Sequence, residues 1–410
     1  REIKMLNVAE IRKQFPILEQ KIHGKPLIYF DNAATALKPK SVADRIYQHY
    51  LYETSNVHRG LHFLSDQATE NFEHVRKQIQ KFINAKEDSE IVFTKGTTDG
   101  INLVAHGFGK VFCDEGDEIL ISEIEHHSNI VPWQIMAEER ACKVKSFEVS
   151  SDGQVNLEDF KKKLSPKTKI VALTYVSNSL GTVFPVQELT QLAHQNNSVV
   201  VLDAAQAVAH QKVDVQKIDC DFMVFSSHKL YGPTGVGVLY GKFNLLEKIP
   251  PYQGGGGMID EVHIEKTTYL KPPFRFEAGT PHIAGVIGLG AAIDFLNQFD
   301  IKEVHAHESK LTHMMQNVLL EIPGVQVYGQ AKEKDPIVSF YVEGTHPTDI
   351  GSMLDQDAIA VRCGHHCTQP LMRKLGIPGT VRASFAIYNT EDEVKTFATS
   401  LKKVIRILKG

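Results

Sequence analysis

Three side chains in this sequence sit where their chemistries can be combined. Lys229 closes the run Asp221-Phe222-Met223-Val224-Phe225-Ser226-Ser227-His228-Lys229, an apolar strand ending in hydroxyls, an imidazole and an amine. Upstream, Val199-Val200-Val201-Leu202-Asp203 is a second apolar strand, and it ends in a carboxylate. Cys367 closes Val361-Arg362-Cys363-Gly364-His365-His366-Cys367, where imidazoles and a guanidinium favour the thiolate. An amine for an aldehyde, a carboxylate for a pyridinium nitrogen, and hydroxyls for a phosphate are the needs of pyridoxal phosphate (PLP). All three fall at strand ends, where α/β sheets place their ligands. Taken singly, Lys229 reads as a surface lysine and Asp203 as a helix cap; together, and with the cysteine run, they read as a site.

Further residues extend it. Thr94-Lys95-Gly96-Thr97-Thr98-Asp99-Gly100 joins a strand to a helix, and its glycine and hydroxyls suit a phosphate at the free amides of a first helical turn. An ordinary N-cap by Thr97 or Thr98 is the plainer reading of that stretch alone. Glu125-His126-His127-Ser128-Asn129 follows another strand end, and an imidazole there can lie flat on a planar cofactor and move protons. Arg382, fifteen residues beyond Cys367, offers a fork for a substrate carboxylate, with a structural ion pair as the equal alternative. Cys363 and Cys367 with two histidines between them resemble a zinc knuckle superficially. A structural zinc site draws on a second knuckle, and none is present, so no metal is expected.

The elements that must position these groups follow from periodicity. Ala68, Phe72, Val75, Ile79 and Phe82 mark one face of a helix over 65–84. Strands are expected at Glu90–Thr94, Glu118–Ser122, Ile170–Tyr175, Val199–Asp203, the Lys229 run and Gly235–Tyr240. Helices are expected at Thr97–His106, Ile130–Arg140 and Val186–Asn196. This alternation predicts an α/β fold with a mostly parallel sheet. Gly254–Gly257 and the polar alternation after it read as a loop and hairpin within 250–275; the glycines do not match a dinucleotide motif. From 295 the order becomes helix, strands, helix, a smaller α+β unit whose last helix opens on a capping box at Thr390–Glu393. The domain expectation is an N-terminal segment over 1–25 packing with the small unit, a large cofactor-binding domain over 26–294, and a small domain over 295–410.

Bulk properties bound the function. At 410 residues, about two domains are expected. A net charge of −4 offers no basic surface for nucleic acid. No apolar stretch approaches the ~18 residues of a membrane span, and the N-terminal residues lack a signal peptide's apolar core. Five cysteines, odd in number and sparse, read as a reducing, cytoplasmic setting.

Asp31-Asn32-Ala33-Ala34, Val57-His58-Arg59-Gly60, Gly96-Thr97-Thr98, Glu125-His126-His127, Asp203-Ala204-Ala205-Gln206, Ser226-Ser227-His228-Lys229, Arg275-Phe276-Glu277-Ala278-Gly279-Thr280 and Arg362-Cys363-Gly364-His365-His366-Cys367 occur in this order along the chain. Together they resemble a SufS-type (group II) cysteine desulfurase, in the class V aminotransferase branch of fold-type I PLP enzymes. The resemblance runs from about residue 8 to 408 and implies these roles. Lys229 bonds the cofactor aldehyde, Asp203 pairs with its ring nitrogen, Gln206 bonds its phenolic oxygen and His126 stacks on it. Thr97, Thr98, Ser226 and His228 hold the phosphate, with Thr280 reaching in from the partner subunit of a homodimer. Asn178, Arg362 and Arg382 bind the carboxylate of L-cysteine, and His58 and Arg59 line the site across the dimer interface. Cys367 is the nucleophile that takes up sulfur, with Lys229 and His126 moving protons. A SufE- or SufU-like acceptor and iron–sulfur cluster assembly complete the implied setting.

Two positions depart from the family pattern. Ser227 stands where glycine is common, and Cys363 where threonine is common. The second sets an extra thiol near Cys367, which makes persulfide migration or an off-pathway disulfide conceivable. Selenocysteine lyase, kynureninase-like hydrolase and aminotransferase are the neighbouring readings within the fold. A non-catalytic sulfur or metal carrier is the reading from another class.

Overall fold

The computed structural model describes residues 6–150 and 152–410. Its centre is a seven-stranded sheet in the spatial order Ile91–Thr94, Gly237–Gly241, Phe222–Ser226, Val199–Asp203, Thr168–Thr174, Glu118–Ser122, Lys143–Phe147. Gly237–Gly241 runs antiparallel to both neighbours, and every other pairing is parallel. The central strands are buried except at Lys169 and Val199 near their starts, as their Val, Leu, Ile and Phe runs require when helices cover both faces. The parallel strands therefore end along one edge. Thr94, Ser122, Thr174, Asp203 and Ser226 all stand there.

The helix expected over 65–84 spans Phe63–Phe82 and buries Ala68, Phe72, Val75 and Ile79. Two differences from the sequence reading are instructive. The helix from Thr97 continues past His106 to Phe112, through Gly107 and Gly109. Those glycines are contact points: a Cβ on Gly107 would lie 2.2 Å from Ile249 Cγ2, and one on Gly109 2.3 Å from Met136 Cγ. Tertiary packing thus outweighs a local propensity cost of about 1 kcal/mol per glycine. Lys143–Phe147 went unread as a strand because Lys143 and Lys145 interrupt its apolar pattern; it is the sheet's edge, where lysines deter further pairing.

A second sheet, antiparallel throughout, has the order Val325–Tyr328, Ile337–Val342, Thr380–Ser384, Arg362–Gly364. Leu311, Met315 and Leu319 of the Ile301–Leu320 helix and Phe397, Leu401 and Val404 of the Glu391–Lys409 helix close a separate core with it. Thr390 and Glu393 form the capping box at the start of that last helix. Ile28 and Phe30 belong to this core, and Ile28–Tyr29 pairs with Ile359–Ala360. Nearer the N-terminus, Phe15 packs edge-on against Phe295 and Tyr388, all three in the core around the central sheet. Arg12 bonds Glu393 at 2.8 Å. The glycine-rich loop leads into an exposed hairpin of Ile259–Val262 and Thr267–Tyr269. No helix among the described residues is long and apolar enough to cross a membrane.

Candidate active site

Where the carboxyl edge of the central sheet meets the second sheet, a cavity of about 260 Å³ is lined by Thr97, Thr98, His126, Asn178, Asp203, Gln206, Ser226, His228, Lys229, Arg362, Cys367 and Arg382. Twelve residues expected from the sequence thus converge, from segments as far apart as 97 and 382. Their convergence rests on strand ends: Asp203 and Ser226 terminate adjacent parallel strands, and Lys229 follows on a single turn, Ser227–Lys229.

Electrostatics suit the expected chemistry. Burial pulls the Lys229 amine down to about 8; Arg382 and Arg362 act in the same direction and Asp203 opposes them. An amine in that range is partly unprotonated near neutrality and able to attack a carbonyl. Burial raises the Asp203 carboxyl, Lys229 acts against that rise, and the Ala205 N–H donates to its Oδ1 at 2.9 Å. Burial and the charge of Lys229 push His126 down to about 3. Its Nδ1 accepts from the Ser128 N–H at 3.1 Å, so the neutral ring carries its proton on Nε2. Gln206 donates Nε2 to the Ala33 carbonyl at 2.9 Å.

The hydroxyl set is compact. The Thr97 N–H donates to Ser226 Oγ at 2.8 Å, Thr97 Oγ1 is 2.8 Å from the same atom, and Thr98 Oγ1 is 2.7 Å from Ser128 Oγ. Gly237 makes this closeness possible, since a Cβ there would lie 2.4 Å from Gly96 Cα. His228 is pushed down to about 4 by burial and by Lys229, so it meets the cavity as a neutral ring.

At the opposite end lie the thiol and the arginines. Arg362 pairs with Arg382 across adjacent strands, so both point to one face. Arg382 is 1% exposed; its Nη1 donates to the Asn178 carbonyl at 2.8 Å and its Nη2 to Asp31 Oδ1 at 3.2 Å, while Nε has no partner. The structure shows the ion pair of the sequence reading, and Arg382 also lines the cavity. Arg362 Nη2 stands 3.9 Å from Cys367 Sγ.

Cys367 is held by its backbone. His366 and Cys367 both have left-handed φ, +50° and +59°, a conformation costing roughly 1–2 kcal/mol per non-glycine residue. The turn is kept by its contacts: Asn178 Nδ2 donates to the His366 carbonyl at 2.7 Å, the His127 N–H to the Cys367 carbonyl at 2.8 Å, and the Cys367 N–H to His365 Nδ1 at 3.0 Å. Asn178 is therefore a tether of the thiol loop as well as a cavity residue. His366, almost wholly buried, is engaged with Thr380 and pushed down to about 2, chiefly by burial.

Cys363 does not share this site. Next to Arg362 on a strand, it faces the other way, pairs with the buried Val381, and lies against helix Pro347–Asp355, where a Cβ on Gly351 would be 2.4 Å from its Sγ. Burial raises its thiol to about 11. The pleat removes the thiol relay that proximity in sequence made conceivable.

His58, Arg59 and Thr280 lie outside the cavity and line a second one of about 400 Å³ with Glu277 and Phe274. His58 Nε2 is 2.9 Å from Glu73, and Arg76 clamps both Glu73 and Glu277, reaching Glu277 at 2.7 Å. The Arg76 and Glu277 side chains are 2% and 7% exposed. Removing Glu277 takes two charge-assisted bonds from the buried Arg76 and leaves Glu73 as its remaining carboxylate, so Glu277→Ala is expected to destabilise the protein by about 1.5–3 kcal/mol, read from urea unfolding. A loss below about 1 kcal/mol would show that water reaches Arg76.

Sequence reasoning passed over two buried groups beside the cavity. Glu125, fully buried, accepts from Ser122, from Asn129 at 2.7 Å and from the Thr174 N–H at 3.0 Å, bracing the loop that carries His126; burial raises its carboxyl to about 7. Lys38 donates to the His228 carbonyl at 2.8 Å, and burial lowers it to about 8. Glu125 carried a signal, an acid directly after an apolar strand. Lys38 carried none.

A family model described as aminotransferase class-V matches residues 28–397. The chain belongs to the class-V aminotransferase family. Within it, the relatives are cysteine desulfurases. The cysteine desulfurase of Serratia proteamaculans is 47% identical over 98% of this chain and 99% of its own length. A probable cysteine desulfurase of Halalkalibacterium halodurans is 47% identical over 97% and 98%. Among solved structures, the cysteine desulfurase CsdA of Escherichia coli, in an S-sulfonic acid form, superposes with a TM-score of 0.92 at 37% identity, covering 98% of this chain and 100% of that one. A cysteine desulfurase from Thermococcus onnurineus gives 0.93 at 40% identity, covering 99% of each chain. Class-V aminotransferases are PLP enzymes of fold type I, and this cavity fits that cofactor: an enclosed amine, a buried acid and a hydroxyl cluster are all at hand.

Proposed function

We infer that the protein is a PLP-dependent cysteine desulfurase that converts L-cysteine to L-alanine and keeps the sulfur as a persulfide on Cys367. The observation that carries this is the presence of Cys367 and Arg362 in the same cavity as Lys229 and Asp203. An aminotransferase has no use for a thiol there. When bound, PLP supplies an electron sink that labilises the substrate Cα proton and makes its sulfur electrophilic.

The chain's residues supply the rest. Lys229 would bond the cofactor aldehyde and move the substrate Cα proton, and Asp203 would keep a proton on the ring nitrogen. Gln206 would bond the phenolic oxygen, and His126 would offer a flat neutral face. Thr97, Thr98, Ser226 and His228 would receive the phosphate. Arg382, with Arg362 and Asn178, holds the substrate carboxylate, which orients its sulfur toward Cys367. Cys367, whose Sγ stands 3.9 Å from Arg362 Nη2, takes up that sulfur. Arg382→Ala is expected to raise the Michaelis constant for cysteine about tenfold or more, the worth of a charge-assisted contact of ~1.5–3 kcal/mol, with PLP still bound. An unchanged constant would remove this role.

The same reading takes the enzyme as SufS-type, cytoplasmic and engaged in iron–sulfur cluster assembly, with selenocysteine accepted as an alternative substrate. Five unpaired cysteines accord with a reducing compartment. A homodimer is supported by the exposed apolar residues Tyr50, Tyr52, Leu61 and Phe63 near His58 and Arg59, which would place those two residues and Thr280 at the partner's site. The Cys367 loop is tethered on both sides and runs into the Gln369–Leu375 helix. A persulfide there cannot travel, so a SufE- or SufU-like acceptor would come to it. Adding such an acceptor is expected to raise the steady rate while leaving the first-turnover burst unchanged. A rate indifferent to it in stopped-flow traces would make chemistry the limiting step. The decisive assay measures alanine and persulfide formed from L-cysteine by the purified protein.

A further inference from the structure

A cavity of about 680 Å³ is separate from the active site and unused by the chemistry above. Its volume falls in the ~300–1,000 Å³ range of small-molecule sites. One wall is apolar, from Val155, Leu157, Phe184 and Ile301. The lining carries Lys212, Lys302, Lys332 and Lys334 against the carboxylates of Glu188 and Glu333. Lys334 is turned onto the Leu180 and Gly329 carbonyls and lowered to about 7 by burial, so the other three lysines supply the excess over the two acids.

His210 adds a donor rather than net charge, because Glu308 balances it. Its Nδ1 stands 2.8 Å from Glu308, which is fully buried behind it, so the other edge of the ring is left for the cavity it lines. Burial works against a charged ring here, yet Glu308 outweighs it and raises His210 above its ordinary range.

The walls also reach the active site. Thr182, Val183 and Phe184 line this cavity, while Val176 and Asn178 of the same hairpin line the other. The hairpin is closed by the Val176–Val183 bridge. Facing it, the segment over 331–335 bonds back through Val183 N–H to Glu333 O at 3.1 Å and Asp335 N–H to Gly181 O at 2.9 Å, and leads into strand Ile337–Val342. Ser339 of that strand pairs with Arg382, and Arg382 in turn bonds the Asn178 carbonyl. Both walls therefore end on the two residues assigned to the substrate carboxylate.

We propose that this cavity is a second ligand site, taking a small organic anion with an apolar body, and that its occupant modulates cysteine binding through the Val176–Phe184 hairpin. The binding half stands on the cavity alone; the coupling half rests on the assignment of Arg382 and Asn178 above. Calorimetry on the PLP-loaded enzyme with phenyl phosphate, hexanedioate and inorganic phosphate tests the first. At least one organic anion is expected to bind more tightly than inorganic phosphate. A Lys212→Glu/Lys302→Glu double variant, both positions exposed, is expected to weaken that binding about tenfold or more. His210→Gln is expected to do the same, and the double variant keeps the test open should it fold poorly. No binding by any probe overturns the site, as does binding untouched by the double variant but abolished by Arg382→Ala, which would place the anion in the substrate cavity. The coupling is read as a shift in the Michaelis constant for cysteine when the anion is present, absent in the double variant; an unshifted constant overturns it. Should the protein process no cysteine at all, the functional reading fails while calorimetry still reports on the site.

Discussion

Cys367→Ser is expected to leave a yellow, PLP-loaded protein that binds cysteine but forms no persulfide, with turnover reduced by at least about 10³-fold. The loss is large because the reaction needs a nucleophile for sulfur, and serine oxygen is far poorer in that role. The cofactor is expected to be spared because the residues proposed to hold it lie at or just beyond the ends of the central strands, whereas Cys367 comes from the second sheet's loop. Cys363 cannot substitute, since its sulfur faces Gly351 on the far side of its strand. Mass spectrometry after cysteine treatment checks this. Persulfide found on the variant would transfer the role to another thiol and require the loop to rearrange.

Lys229→Ala is expected to give a pale protein with no detectable turnover, a loss on the order of 10⁴-fold or more when bonding and proton transfer go together. One amine is asked to do both, and its low range near 8 suits both, since a lysine at its usual value would be almost wholly protonated. Lys38, the other lysine lowered by burial nearby, is fully engaged with the His228 carbonyl and the Thr35–Ala36 turn, so it offers no rescue. Retention of the yellow absorbance band, with cysteine still consumed, would overturn the assignment of Lys229.

Both outcomes depend on a division of labour between two units. The central sheet delivers the cofactor groups, and the second sheet delivers the thiol and the guanidinium groups. Between them runs Asn178, bonded to the His366 carbonyl and beneath Arg382. Its amide fixes the turn in which two successive non-glycine residues hold left-handed φ. Strain of this kind persists only where neighbours over-determine it, and it commonly marks a functional loop.

The sequence by itself determined the elements and most of the chemistry. Apolar runs ending in Asp203 and in Ser226–Lys229 specify parallel strands with functional ends, because a strand buried on both faces must be apolar until it emerges. The Thr390 capping box and the face of the helix after residue 63 are likewise local facts, set by hydrogen-bond geometry and a 3.6-residue period. Tertiary structure alone decided which way neighbours on a strand point and which distant groups meet. Arg362 and Cys363 are adjacent in sequence and opposite in space, because strand side chains alternate and pairing with Arg382 fixed the register. His58, Arg59 and Thr280 share motifs with the site yet gather in another cavity of the same chain. Glu125 was at least legible as an acid near a strand end, whereas Lys38 became visible only through its burial against the His228 carbonyl, and burial is a property of the packed fold that no local pattern encodes.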